Sequence, residues 1–249
     1  MCAFLVLAAA GASAQTALAP DSTVQFQTAD GVTVWGDLYL ADAPRSAPVI
    51  LLFHQGGGDG RAEYGPLVAS LLGRGFHAFS IDQRRGGSRL GGTNRTVAAL
   101  EGRSFTYCEA YADLEAAFSY VGELGLTGKR IVWGSSYSAA LVLKLAVEHG
   151  EEVAAVLAFS PASGEPMAGC EPASFVDRLA VPALVLRPMS EMEIERVQVQ
   201  LQSFAASGLE TYVADPGVHG SSMLNPARVG APTTDAWAVV MDFLGRFTS

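Results

Sequence analysis

The chain alternates apolar and polar residues only near its start. Residues 24–28 and 32–40 each alternate with a period of two, and Ala29, Asp30 and Gly31 lie between them as a turn signal. This pattern predicts a β-hairpin. After the hairpin the apolar residues form continuous runs, which are typical of strands buried on both faces. These runs are residues 49–53, 76–81, 130–133, 153–159, 183–186 and 211–213.

Helical patterns lie between the continuous runs. Tyr111, Leu114, Phe118 and Val121 recur at the spacing of one helix face, and residues 191–206 form a second helical segment. A terminal helix turns four apolar residues inward, namely Trp237, Val240, Leu244 and Phe247. Antiparallel strands followed by alternating strands and helices predict an α/β protein. Its sheet is doubly wound and mostly parallel, with an antiparallel N-terminal edge.

Length and charge narrow the possible classes of protein. The chain has 249 residues, of which 49% are hydrophobic and 16% charged, so it can bury one large core. No internal repeat or linker interrupts the pattern, and we expect residues 15–249 to form one domain. The net charge is −9, and the only basic cluster is the short stretch Gln83-Arg84-Arg85. Neither a nucleic-acid partner nor an anionic-membrane partner is therefore expected.

The first 14 residues form a short apolar run that ends in Ala-Ser-Ala at residues 12–14. This small-x-small pattern predicts a secretory signal peptide over residues 1–14, cleaved before Gln15 and too short to span a membrane. The alternative is a buried apolar N-terminal arm. Cys2 does not follow a lipobox, which makes a lipid anchor the weaker interpretation. We therefore expect an exported protein, either periplasmic or secreted.

Ser136 lies between a predicted strand and a predicted helix. The preceding residues are apolar and largely β-branched, and the following residues 139–146 favour a helix and contain neither Gly nor Pro. A serine on such a tight turn is the nucleophile elbow of certain hydrolases, which requires small residues two positions before and after it. Gly134 and Ser138 meet this requirement, although Ser138 replaces the usual glycine. An ordinary strand-to-helix turn is the alternative.

His219 is the best candidate among four histidines for the general base. It lies in a glycine-bracketed loop after the last predicted strand, where a loop can direct imidazole toward Ser136. His54 and His77 border buried strands, and His149 ends a helix.

A carboxylate that orients the imidazole should follow the strand at residues 183–186. Glu191 comes first after this strand and is our choice, with Glu193 as the runner-up. Glu195 is already close to the helix and is more simply explained as a solvated residue, since acidic side chains favour the first turn of a helix. Asp215 is a less favoured alternative because it precedes His219 by only four residues.

Acyl transfer also needs two backbone N–H groups that stabilise an oxyanion. We assign one to Tyr137, the residue after the nucleophile, and the other to Gly56, with Gln55 as the alternative. The glycine-rich stretch at residues 56–60 lacks the residues of a phosphate-binding loop, so nucleotide binding is not expected. No metal and no cofactor is predicted.

Cys108 and Cys170 would remain in the exported chain after cleavage of the signal peptide. An even number of cysteines in an oxidising compartment favours a disulfide. Both residues lie on connections that can reach the carboxyl edge of the sheet, so a bridge is geometrically possible. Two buried free thiols are the alternative.

Together these motifs resemble the α/β-hydrolases over residues 24–247, and within them the small dienelactone-hydrolase-like proteins. The likeness rests on the segments at residues 54–57, 82–88, 134–138 and 217–220. It implies a serine hydrolase that cleaves esters, with Ser136 as nucleophile, His219 as base and a Glu or Asp as the orienting acid. The resemblance departs at Ser138, which replaces glycine, and at Glu191, where aspartate is commoner.

The resemblance also bears on the substrate and on competing functions. Residues 160–182 are too few for a large helical cap, so we expect an open site that accepts varied small-molecule esters. A peptidase or thioesterase of the same fold is an alternative within hydrolases. A non-catalytic binding protein on a hydrolase scaffold is the alternative outside them, because a fold does not guarantee chemistry. The protein is expected to be a monomer or a homodimer.

Overall fold

The computed structural model describes residues 17–248, and the predicted signal peptide at residues 1–14 lies outside this range. The N-terminal hairpin consists of β1 (Ser22–Gln27) and β2 (Thr33–Tyr39), which pair antiparallel. Thr28 closes the turn because its hydroxyl accepts the N–H of Val32 at 2.9 Å. The alternating pattern therefore forms the predicted hairpin.

Within residues 17–248, six further strands complete one sheet. They are β3 (Val49–Phe53), β4 (His77–Asp82), β5 (Arg130–Ser135), β6 (Val153–Phe159), β7 (Ala183–Pro188) and β8 (Glu210–Ala214). The strand order is β1-β2-β4-β3-β5-β6-β7-β8, and β2 is the strand that runs antiparallel to both of its neighbours. The predicted doubly wound, mostly parallel sheet with an antiparallel N-terminal edge is confirmed. Because β3 to β8 are parallel, their carboxyl ends meet at one edge of the sheet.

In the described part of the chain, seven α-helices connect or flank the strands. They are α1 (Gly60–Leu72), α2 (Arg95–Ala98), α3 (Tyr111–Glu123), α4 (Tyr137–Glu148), α5 (Glu195–Ala206), α6 (Pro226–Val229) and α7 (Thr234–Gly245). Short 3-10 turns cover Cys108–Ala110, Glu165–Met167, Pro172–Ser174, Val176–Arg178, Met189–Glu191 and Gly220–Leu224. The helix predicted from residue 191 therefore begins only at Glu195. Glu191 instead ends a 3-10 turn, and its carbonyl accepts the N–H of Ile194.

Successive residues of the central strands bury their side chains on opposite faces of the sheet. In β3, Val49, Leu51 and Phe53 belong to the core on the side of α3, α4 and α5, whereas Ile50 and Leu52 belong to the core on the side of α1 and α7. This alternation is the period-two geometry of a strand with both faces covered. Each such side chain contributes about 1.5–3 kcal/mol by leaving water, so the two cores hold the strand ends in place.

The connection between β6 and β7 carries only three short 3-10 turns and no large cap. Cys170 in this connection forms a disulfide with Cys108, and their Cα atoms are 5.7 Å apart. The structure thus has the disulfide predicted from the sequence. Among residues 17–248, no helix is both long and apolar enough to cross a membrane.

Candidate active site

Ser136 occupies the turn between β5 and α4 with φ of +61° and ψ of −120°. A non-glycine residue with positive φ is strained and persists only where its surroundings hold it. Two backbone hydrogen bonds do so here: Ser136 donates its N–H to the carbonyl of Phe159 at 2.8 Å, and its own carbonyl accepts the N–H of Ala162 at 3.1 Å. Ser136 therefore has the backbone geometry expected of a nucleophile elbow.

The two small residues around Ser136 are required for different reasons. A Cβ on Gly134 would lie 2.3 Å from the carbonyl oxygen of Ser138, so only glycine fits there. Ser138 is fully buried, and its hydroxyl donates to the carbonyl of His54 at 2.6 Å and accepts from the Gln83 side chain at 2.9 Å. The serine that replaces the usual glycine thus joins α4 to the loops after β3 and β4.

His219 and Glu191 meet at the carboxyl edge of the sheet. Nδ1 of His219 lies 2.5 Å from Oε1 of Glu191, and the His219 side chain is 44% exposed. The other carboxylate oxygen of Glu191 accepts from Nη1 of Arg187 at 2.6 Å. Arg187 is itself buried and also donates to the carbonyl of Pro161 and to the Gln200 side chain. The carboxylate therefore bridges a solvent-accessible imidazole and a buried guanidinium.

The electrostatic setting keeps Glu191 ionised. Burial alone would raise the pKa of Glu191, but the hydrogen bonds and charges of His219 and Arg187 outweigh it and hold that pKa below its usual value. Glu193, the runner-up, is exposed, and so are Glu195 and Asp215. Of the four acids considered for this role, Glu191 is the one that is hydrogen-bonded to the imidazole among the described residues.

The loop that carries His219 is bonded to the residue before Ser136. Ser135 is fully buried, and its hydroxyl accepts the N–H of Ser221 at 3.0 Å. Gly220 donates its N–H to the Ser160 hydroxyl at 3.1 Å, so the loop is also tied to the end of β6. Within residues 17–248, the Ser136 hydroxyl and His219 are not hydrogen-bonded to each other. Bonds of this kind often tighten only when a substrate is bound.

The loop after β3 distinguishes the two candidate oxyanion donors. The N–H of Gln55 is bonded to a buried carboxylate of Glu63 at 2.8 Å and is not available to a substrate. In the described part of the chain, no acceptor is bonded to the N–H of Gly56. Tyr137 is the first residue of α4, and the first N–H groups of a helix have no partner within the helix. Gly56 and Tyr137 are thus the pair left free for an oxyanion.

Two stacked tyrosines lie beside the loop after β3: Tyr137 is buried and Tyr107 is half-buried. The rings of Tyr107 and Tyr137 stack at 4.6 Å, and the guanidinium of Arg85 lies 4.7 Å from the Tyr107 ring centre. A Cβ on Gly56 would lie 2.8 Å from the Tyr107 hydroxyl, so a larger residue there would require the Tyr107 ring to shift. Cys108 follows Tyr107, so the disulfide anchors the segment that covers the loop after β3.

Sequence reasoning missed Arg187, His54 and Glu63. Arg187 lies at the end of a buried strand, and a lone charged residue in an apolar run is a signal that it needs a buried partner. For His54 the sequence indicates only a position at the end of a strand, within the segment of the family resemblance, and no hydrogen-bonding role. Its Nε2 accepts from the N–H of Gln83 at 2.9 Å, which assigns the proton to Nδ1 and makes it a donor to the Gln55 carbonyl at 2.8 Å.

No metal site is found in the described residues, where His, Cys, Asp and Glu side chains form no group of three suited to an ion.

The model of the family described as serine aminopeptidase, S33, matches residues 44–228, which is well over half of the chain. The chain belongs to this family of α/β-hydrolases. The fold and the family of the chain are those of hydrolases. A search of curated proteins finds no sequence match.

Solved structures share the fold at low sequence identity. An esterase of Pyrococcus furiosus has a TM-score of 0.67 at 17% identity, with 92% of this chain and 93% of the esterase covered. A dienelactone hydrolase of Anabaena variabilis has a TM-score of 0.64 at 13% identity, with 92% and 98% covered. An acylaminoacyl peptidase of Pyrococcus horikoshii has a TM-score of 0.66 at 16% identity over 91% of this chain. The chain spans only 41% of that peptidase's length.

Proposed function

We propose that the protein is a serine hydrolase that cleaves carboxylic esters of small molecules through an acyl-enzyme on Ser136. The observation that carries this proposal is the 2.5 Å contact between Glu191 and His219, on a loop bonded to the residue before a strained serine. These three residues come in the chain order typical of α/β-hydrolases. A binding protein would have no need to maintain the ionised acid, the imidazole and the serine in this arrangement.

The proposed reaction assigns one role to each group. Oγ of Ser136 attacks the ester carbonyl while Nε2 of His219 takes the hydroxyl proton, and Glu191 accepts the Nδ1–H so that the imidazolium is stabilised. The N–H groups of Gly56 and Tyr137 donate to the oxyanion that forms. His219 then gives its proton to the leaving alcohol. Water attacks the acyl-enzyme with His219 as the base, which releases the acid and restores Ser136.

The connection from β6 to β7 carries short 3-10 turns and forms no large cap over the site. This openness supports small-molecule esters as the proposed substrates. A peptidase is the second candidate, and it is favoured by the family description and by the acylaminoacyl peptidase among the similar structures. We further propose that the protein is exported, a location supported by the disulfide.

Labelling with a fluorophosphonate probe tests the proposal most directly. The purified protein should be labelled once, on Ser136, and should hydrolyse short p-nitrophenyl esters faster than aminoacyl p-nitroanilides. Ser136→Ala is the matched control for the probe, and denatured protein is the control for non-specific reaction. Absence of labelling in a folded protein would favour the non-catalytic binding protein. Faster cleavage of the anilides would favour the peptidase.

A further inference from the structure

Glu63 is a fully buried carboxyl group beside the site that the proposed reaction does not use. It lies in the first turn of α1, directly after the loop that contains Gly56, and none of its surface is exposed. Burial raises the pKa of this carboxyl, so placing it there is costly unless its oxygens meet specific partners. Among the described residues, the hydrogen bond that this carboxyl makes is to the N–H of Gln55, and this bond indicates what the carboxyl does.

One oxygen of Glu63 fixes the loop after β3. Oε2 accepts the N–H of Gln55 at 2.8 Å. The carbonyl of Gln55 is held separately, because it accepts from Nδ1 of His54 at 2.8 Å and from the N–H of Gly58 at 3.1 Å. This carbonyl and the N–H of Gly56 belong to the same planar trans peptide and point in opposite directions. Holding Gln55 on both sides therefore sets the direction of the Gly56 N–H.

The second oxygen of Glu63 faces the loops of the proposed nucleophile and base. Oε1 lies 3.7 Å from the position that a Cβ on Gly220 would take, and the Ser135 hydroxyl lies 2.3 Å from that same position. Ser135 in turn holds the N–H of Ser221 at 3.0 Å. Glu63 therefore lies where the loops after β3, β5 and β8 meet.

We propose that Glu63 is a positioning residue that holds the oxyanion hole in its formed state. Its carboxyl group binds the N–H of Gln55, which therefore points away from the site. The N–H of Gly56 then points into the site. Without this acceptor, the buried Gln55 N–H would be unsatisfied, and rotation of the neighbouring peptide would turn the Gln55 carbonyl toward the oxyanion. This inference rests on the proposed function, because it concerns the oxyanion of that reaction.

Three substitutions separate hydrogen bonding from charge and from size. Glu63→Gln keeps an oxygen that can accept from Gln55, so it should lose far less activity than the others. Glu63→Leu removes the acceptor while keeping most of the volume, and Glu63→Asp keeps the charge but shortens the reach to Gln55. Both should lower kcat on the order of 10²- to 10³-fold, the usual effect of losing one oxyanion donor. KM should change little, because the ground-state ester makes weaker use of the hole.

Inhibition by a trifluoromethyl ketone distinguishes a positioning role from a purely structural one. Its hemiketal oxyanion forms on the nucleophile and needs the same donors, so its Ki should rise by the same factor as kcat falls. Leu71→Ala, at the far end of α1, is the control for lost stability and should leave kcat and this Ki unchanged. If Glu63→Leu does not fold, the comparison of Glu63→Asp with Glu63→Gln answers the same question.

The inference is overturned if folded Glu63→Leu or Glu63→Asp keeps kcat and Ki within about threefold of the wild type, well under the expected loss. It is also overturned if Glu63→Gln loses as much as Glu63→Leu, because charge rather than hydrogen bonding would then matter. Amide hydrogen exchange of Gln55 provides a readout that needs no catalysis. If the Gln55 amide is protected in the wild type and in Glu63→Gln but not in Glu63→Leu, the hydrogen bond to Glu63 is supported. This result would hold even if fluorophosphonate labelling refutes the serine hydrolase.

Discussion

The two halves of the candidate site are built by different physical means. The oxyanion half, around Gly56 and Tyr137, is held by backbone groups whose partners are buried, including the carboxyl of Glu63. The acid–base half consists of Glu191, whose carboxylate is held by the buried Arg187 guanidinium, and His219, whose side chain is 44% exposed. A buried hydrogen bond fixes a peptide plane tightly because the alternative is an unsatisfied polar group. A half-exposed imidazole is more adjustable, because water can take the place of its partner.

The difference matches what each half is proposed to do. An oxyanion hole works only if its donors are aimed before the charge develops, so rigidity has catalytic value there. The imidazole must pick up a proton, hand it to a leaving group and take another from water, which an exposed ring can do. We therefore expect changes in the acid–base half to depend on pH, and changes in the oxyanion half to act mainly through geometry.

The largest expected effect tests whether the two halves serve the same serine. Ser136→Ala removes the proposed nucleophile and should lower kcat for a short activated ester on the order of 10⁴-fold or more. Ser135→Ala is the matched control on the neighbouring residue. It removes a buried acceptor of the Ser221 N–H, so it should lower stability yet cost much less activity. The opposite ranking of the two variants would mean that the elbow has been assigned to the wrong serine.

The second effect separates the carboxylates of the acid–base half. Glu191→Gln should lower kcat on the order of 10²- to 10⁴-fold, because an amide can present its NH₂ group to Nδ1 and stabilise the wrong tautomer of His219. Glu193 is exposed, and the imidazole is bonded to Glu191 instead, so Glu193→Gln should be nearly neutral. Both are measured at the same pH with the same ester. Equal, small losses would place the orienting acid elsewhere, for instance at Asp215.

Much of this architecture could be predicted from the sequence, because it depends on local patterns. The continuous apolar runs located the buried strands to within a few residues, and the glycine-bracketed His219 and the elbow around Ser136 come from short motifs. The contacts of Arg187 and Glu63 could not be predicted in the same way. Each depends on partners that the tertiary fold brings together, such as Pro161 with Arg187, and no local periodicity encodes such a pair.

A third, smaller effect tests whether charge positions the acid. Arg187→Met removes the guanidinium but keeps a long apolar side chain, so Glu191 keeps only its contact with His219. We expect kcat to fall by roughly 10- to 100-fold, as when a reacting group is displaced by about 1 Å. Gln200→Ala, which removes a neighbour of Arg187 without touching Glu191, is the control and should change kcat less. If Arg187→Met lowers kcat no more than Gln200→Ala does, Arg187 does not position Glu191.

The same variant has a pH signature in stability. Because the pKa of Glu191 is lowered in the folded protein, its ionised form stabilises the fold at pH values above the unfolded pKa. That stabilisation disappears as the pH falls through the folded pKa. Urea unfolding should therefore show Arg187→Met less stable than the wild type near neutral pH, with the difference shrinking below pH of about 4, near the ordinary carboxyl range. A difference that stays constant with pH would mean that packing, not charge, accounts for it.

The smallest effect on activity should come from the disulfide, which borders the oxyanion half from outside. The bridge joins residues 62 apart and should contribute about 2–4 kcal/mol, mostly by restricting the unfolded chain. Replacing Cys108 and Cys170 with serine together should lower the unfolding temperature. It should change kcat by less than about threefold, because the loop after β3 keeps its bonds to His54 and Glu63 and these aim the donors. A much larger loss of kcat would mean that Tyr107, rather than the buried hydrogen bonds, holds Gly56 in place. Intact-mass measurement of exported protein alkylated under denaturing conditions checks the bridge itself: two alkylated thiols without reductant would rule it out and would also remove the support for export.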